Sequence, residues 1–153
     1  MSRRAAVDLS RSRRPVGIGW ALALSAVAGP LLAAAFPDTA IWPLAPVAIA
    51  CVLVALRGRG FWTGTLAGLV FGVGFWFTLI PWVGEFLGLV PVIALAGLQS
   101  LYVALGGGLL AVVWRTLPRV LPGIAGRVVV LPLVLAGVWL AREVVSNTWP
   151  YDG

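Results

Sequence analysis

The feature that most constrains this chain is where its charges are missing. Five apolar stretches, about 16–36, 41–56, 61–82, 86–114 and 128–145, follow one another, separated by short segments of arginine, proline and glycine. Each lies near the roughly 17–25 residues that cross the hydrocarbon of a bilayer as a helix. The second is short and the fourth long, which predicts tilted or interfacial ends there. Only 10% of the residues are charged and the mean hydropathy is +1.03. A soluble domain of this size needs a charged shell of about a quarter of its residues. The sequence therefore predicts an all-α membrane protein, a bundle of about five transmembrane helices, in which 1–15 is an arginine-rich cytoplasmic tail and 16–153 the helical domain.

The basic residues are all arginine, and their placement carries topological information. Arg3, Arg4, Arg11, Arg13 and Arg14 precede the first stretch, Arg57 and Arg59 follow the second, and Arg115, Arg119 and Arg127 follow the fourth. The bias of basic residues toward cytoplasmic loops then predicts an N-terminus in the cytoplasm, a multi-pass path through the membrane, and Gly153 on the outer side. Asp38, Glu85 and Asp152 fall in the outer connections. The start of the chain also has the outline of a signal peptide, but its apolar part is longer than usual for one and a second stretch follows at once, so a retained helix is expected. The same distribution removes the nucleic-acid reading that so basic a chain would otherwise invite.

Tryptophans fall at the ends of these stretches. Trp42, Trp82 and Trp149 mark the outer level and Trp20, Trp62 and Trp114 the inner one, as interfacial anchors do. Gly64, Gly68 and Gly72 recur every fourth residue, with Gly74 close by, a strip along which a second helix can approach closely. Gly106, Gly107 and Gly108 invite the same packing reading and also loosen their helix. Pro132 is positioned to kink the fifth stretch.

Four residues are candidates for function. Trp82 and Glu85, in "LIPWVGEF", place a carboxylate between aromatic side chains at the outer level. Arg142 and Glu143, in "WLAREVV", lie within the fifth stretch, where an ionisable residue marks function or else snorkels toward the headgroups. Neighbours on a helix do not face each other, so a simple pair between them is not expected. No catalytic constellation is present: with no His and no Lys, neither Cys51 nor any serine has a base, and no metal ligand set or cofactor is expected.

The order of these features resembles a known family. "FPDTAIWPLAPVAIACVLVALRGR" is similar to the first hairpin of the bacterial apolipoprotein N-acyltransferases, and "GLVFGVGFWFTLIPWVGEF" to their glycine- and aromatic-rich third span. "QSLYVALGGGLLAVVWRTLP" resembles the fourth span, and "VWLAREVVSNTWPYDG" the Trp…Glu segment that leads into a Gly-Phe-Pro-Trp loop. The "LIPWVGE" wording is similar to actinobacterial members, some of them fused to a polyprenol-phosphate mannosyltransferase. Where members often carry a basic residue three positions after the glutamate, this chain has Ser146, and Asp152 replaces a common glycine.

The resemblance implies an enzyme that transfers a fatty acyl group from a membrane phospholipid to the amino group of a lipoprotein's diacylglyceryl cysteine. A cysteine nucleophile assisted by glutamate and lysine forms a thioester, which the amine attacks. Those residues belong to a nitrilase-like domain expected beyond Gly153, so the 153 residues alone are expected to be inactive. Trp82, Glu85, Arg142 and Glu143 would line the route by which phospholipid and lipoprotein arrive. The competing reading is a small polytopic scaffold, channel or transporter subunit. The scarcity of polar residues inside the first four stretches and the lack of a polar tail after "PYDG" favour the acyltransferase.

Overall fold

The computed structural model describes residues 17–37 and 39–149. The N-terminal tail with its five arginines, Val16, Asp38, Asp152 and Gly153 lie outside the described residues. The described chain forms α1 (Ile18–Ala33), α2 (Leu44–Leu56), α3 (Phe61–Leu79), the short α4 (Val83–Leu87), α5 (Leu89–Val120) and α6 (Leu131–Thr148), with a π-helical turn, Gly126–Val130, leading into α6. The helices from Phe61, Leu89 and Gly126 are long and apolar enough to cross a membrane; α1 and α2 are shorter apolar helices packed beside them. This is an all-α membrane bundle.

The bundle is small inside and large outside, the reverse of a soluble core. Along α5, Ser100, Ala104, Gly107, Gly108 and Ala111 are buried while Leu101, Leu105 and Leu109 are more than half exposed. Lipid is as apolar as leucine, so large side chains gain little by turning inward; close backbone approach holds the helices together instead. Gly64, Gly68 and Gly72 all face α5. A Cβ on Gly68 would lie 2.8 Å from the carbonyl oxygen of Val103 and 3.1 Å from the Cα of Gly107. Gly74 turns to α1 instead, where its own Cβ would meet the Pro30 ring at 3.0 Å. The α3 helix is thus the centre of the bundle, packed on α5 along one face and on α1 along another.

Chain order gives a curled row. The α2 helix packs mainly on α1, α1 on α3, α3 on α5 and α5 on α6, so α2 and α6 are its two ends. They do not pack on each other, yet Ile49 of α2 and Trp139 of α6 line the same cavities. A gap therefore runs between the ends of the row. At one end of the bundle Arg59 donates from Nε to the Ala55 carbonyl at 2.6 Å and from Nη2 to the Gly17 carbonyl at 3.2 Å, tying α1 to α2.

Helix ends depart from the hydropathy boundaries for identifiable reasons. The α5 helix continues six residues past Trp114, through Arg115 and Arg119, because hydropathy tracks side chains whereas the backbone ladder continues wherever it can bond. At its other end the helix does not begin at Phe86. Gly88, with φ of 81°, breaks the path and leaves α4 as a separate turn; a side chain at that φ would be strained. Near Pro132 the irregularity is the π turn just before it: proline has no N–H for the Val128 carbonyl, and the wider turn absorbs the mismatch.

Candidate functional site

The four candidate residues fall into two separate places. Trp82 and Glu85 sit at and beside α4, both exposed, with the Trp82 ring edge-on to Phe86 at 6.4 Å between centroids. This turn lies against the first turn of α5, where Gly84 neighbours Val92. Arg142 instead packs on Gly106, fourteen residues further along α5. At about 1.5 Å per residue the two places are roughly 20 Å apart along the helix. They do not form one polar cluster.

Arg142 is the polar centre of the interior. Its side chain is only 9% exposed, although it stands on an apolar helix. Gly106 makes this possible, since a Cβ there would lie 3.0 Å from the Arg142 Cδ and 3.3 Å from its Cγ. The guanidinium carbon lies 4.8 Å from the centre of the Trp139 ring, one turn earlier on α6, an arrangement in which the ring face attracts the cation. Nη2 donates to the carboxylate of Glu143. This pairing was not expected from adjacent helical positions. The Cβ atoms do diverge, but the long arginine stem swings its head around the helix to reach the carboxylate.

Two further nitrogens of the guanidinium, Nε and Nη1, are buried and have no partner among the described residues; the same is true of the indole Nε1 of Trp76. Arg142, Glu143, Trp76 and Trp139 all line a cavity of about 290 Å³, whose remaining wall includes Phe71 and Phe75. The aromatic wall is continuous: Trp139 meets Phe71 edge-on at 6.3 Å, Phe71 stacks on Phe75 at 6.3 Å, and Phe75 meets Trp76 at 5.1 Å. A buried polar hydrogen without an acceptor costs about 1–3 kcal/mol. Because Glu143 already balances the charge of Arg142, what these nitrogens lack is acceptor oxygen rather than net negative charge. The arrangement offers N–H donors beside aromatic walls; among the described residues Cys51 lies on α2, away from Arg142 and Glu143 on α6.

Arg142 and Glu143 were legible in the sequence as candidates; Trp76, Trp139 and Gly106, which meet them in the fold, were not. The signal for Trp139 was present in its i, i+3 spacing from Arg142, and Gly106 was visible as part of the triple glycine. Nothing local marked Trp76, which comes from another helix. Of the eight tryptophans, Trp76, Trp114 and Trp139 are half-buried against the core, while Trp20, Trp42, Trp62, Trp82 and Trp149 are exposed at helix ends.

An apolar bundle built on a glycine seam, with a buried arginine paired to a half-exposed glutamate on α6, matches a family model along most of its length. Residues 28–153 match the model of the apolipoprotein N-acyltransferase N-terminal domain, and the chain belongs to that family.

Proposed function

We propose that this chain is the membrane portion of an apolipoprotein N-acyltransferase, oriented with its arginine-rich end in the bacterial cytoplasm, and that the Arg142–Trp76 cavity receives the acyl-ester region of the phospholipid donor. In the complete reaction a cysteine thiolate attacks the ester carbonyl, a lysophospholipid leaves, and a thioester remains. The free amine of the diacylglyceryl cysteine then attacks the thioester, forming an amide and releasing the thiol. These 153 residues hold one cysteine and no lysine, so their part is to hold lipid and to position the chemistry.

One observation carries the assignment of the cavity: Arg142 and Trp76, on two different helices, line a space walled by aromatic rings and hold buried N–H groups without a partner among the described residues. An ester supplies neutral acceptor oxygens attached to a chain that such walls accommodate. Glu143 fixes the guanidinium, and Trp82 and Glu85 on the far side of α5's first turns meet the lipoprotein as it arrives. The test separates the half-reactions in the full-length enzyme. Arg142→Ala and Trp76→Phe are expected to slow thioester formation from phospholipid while leaving aminolysis of a preformed acyl-enzyme intact. Glu85→Ala is expected to slow aminolysis. Unchanged rates of both steps in all three variants would remove the proposal.

A further inference from the structure

The gap between α2 and α6 does not end at the Arg142 cavity. Toward the arginine end it widens into an apolar groove of about 660 Å³, lined among others by Leu53, Leu110, Leu131, Leu135 and Ala136. The groove shares Trp114 and Arg127 with a second pocket of about 380 Å³, which is walled by Arg57, Arg115, Arg119 and Arg127. Four guanidinium groups thus gather at one end of an apolar trough. Among the described residues the acidic side chains are Glu85, at the opposite end of the bundle, and Glu143, already paired with Arg142. Among the described residues no acid stands beside the four.

We infer that this groove and its arginine pocket form a binding site for an anionic phospholipid of the leaflet at the arginine end, with the phosphate held by Arg57, Arg115, Arg119 and Arg127 and one acyl chain lying between α2 and α6. Charge complementarity selects the occupant. Guanidinium groups match phosphate oxygens in pairs, and basic pockets between membrane helices are places where acidic lipid headgroups settle. Length agrees with it. From Arg127 to Leu140, the first and last residues of this segment that line the groove, the helix rises about 20 Å at 1.5 Å per residue, and one leaflet contributes about 15 Å of hydrocarbon. Arginines that merely set topology need no trough beneath them. Here α2 stops short of α6, and the space left open begins where the guanidinium groups gather. The site is independent of the reading given to Arg142, which lies at the far end of the gap.

The full-length native chain, purified in mild detergent, is mixed with phosphatidylglycerol or with phosphatidylcholine of the same chains, and bound lipid is counted by native mass spectrometry. Selective retention of phosphatidylglycerol is expected. The double variant Arg115→Gln/Arg127→Gln is expected to weaken it by about fivefold per arginine removed. Ala136→Phe, which fills the trough without changing charge, is expected to weaken it as well. Equal retention of both lipids would overturn the site. So would a charge variant that loses lipid while Ala136→Phe keeps it, since that describes headgroups gathering at a basic surface without a groove. Failure of either lipid to bind because further helices of the full chain occupy the gap would also overturn it. Unchanged thermal midpoints show that each variant remains folded.

Discussion

Gly106 leaves the space that the stem of Arg142 fills: a Cβ at position 106 would stand 3.0 Å from Cδ and 3.3 Å from Cγ of the arginine. The small residue on α5 is therefore what lets a charged residue lie inside an apolar bundle. A valine there displaces the stem and lifts the guanidinium off the Trp139 ring. Overpacking of this kind costs about 1–3 kcal/mol, so Gly106→Val is expected to lower the thermal midpoint in detergent. Gly137→Ala is the matched control, because nothing lies within 4 Å of its Cβ position; removing a helical glycine there is expected to stabilise by about 0.5–1 kcal/mol.

Arg142 and Glu143 are expected to behave as a coupled unit. Glu143→Gln leaves the guanidinium with one further donor lacking an anionic acceptor, and a loss of about 1–3 kcal/mol is expected. Replacing both partners by apolar residues, Arg142→Met with Glu143→Leu, removes the buried charge along with its need for compensation. The double variant is expected to be more stable than Glu143→Gln alone. A double-mutant cycle on unfolding in detergent measures the coupling, expected at about 0.5–3 kcal/mol. Strict additivity would mean that the pair contributes nothing.

The glycine seam gives the most direct test of packing. The Cβ of Gly68→Ala would meet backbone atoms of α5, Val103 O at 2.8 Å and Ala104 Cα at 3.2 Å, and backbone cannot move aside as a side-chain end can. The α3 and α5 helices must separate, which is expected to cost about 1–3 kcal/mol. Gly97→Ala, on α5 with open space around it, is expected to be neutral or stabilising. Equal effects at the two positions would show that the seam is not a close contact.

Comparison of these residues shows what the sequence made legible. The helical class and the approximate extents of the helices follow from runs of apolar residues, a property of each segment alone. The four-residue glycine spacing marks a smooth face but not its partner; Gly68 meets α5 and Gly74 meets α1 because of the order in which helices pack. The break at Gly88 and the run of α5 past Trp114 depend on backbone geometry to which hydropathy is blind. At the candidate site, Arg142 and Glu143 stood out because charge is rare in such a chain. Their pairing did not, since helical spacing describes where Cβ atoms point and a long stem overrides it. Trp76 joins them only through tertiary packing, and the same packing leaves Trp82 and Glu85 about 20 Å away.

The left-handed backbone at Ala40, φ of 53°, lies in the turn between α1 and α2. The Ile41 N–H bonds back to the Ala34 carbonyl at 3.1 Å and fixes the conformation. A Cβ in that region costs about 1–2 kcal/mol. Ala40→Gly removes this strain at the expense of a more flexible unfolded chain, and a net rise in thermal midpoint is expected.

Orientation is open to a chemical test, because these 153 residues hold a single cysteine, Cys51, and the nucleophilic cysteine of the proposed full-length enzyme can be replaced by serine alongside it. In a Cys51→Ala background, Glu85→Cys and Arg119→Cys place one thiol at each end of the bundle, both at exposed positions. The arginine end is expected on the cytoplasmic side, since basic residues near helix ends resist translocation whereas acidic ones hardly affect it. A membrane-impermeant maleimide added to intact spheroplasts should then label position 85 at once and position 119 only after the membrane is permeabilised. The opposite pattern would put the arginine pocket and its lipid site in the outer leaflet. It would also turn the Trp82 end away from any lipoprotein arriving from outside, and both functional assignments would have to exchange leaflets.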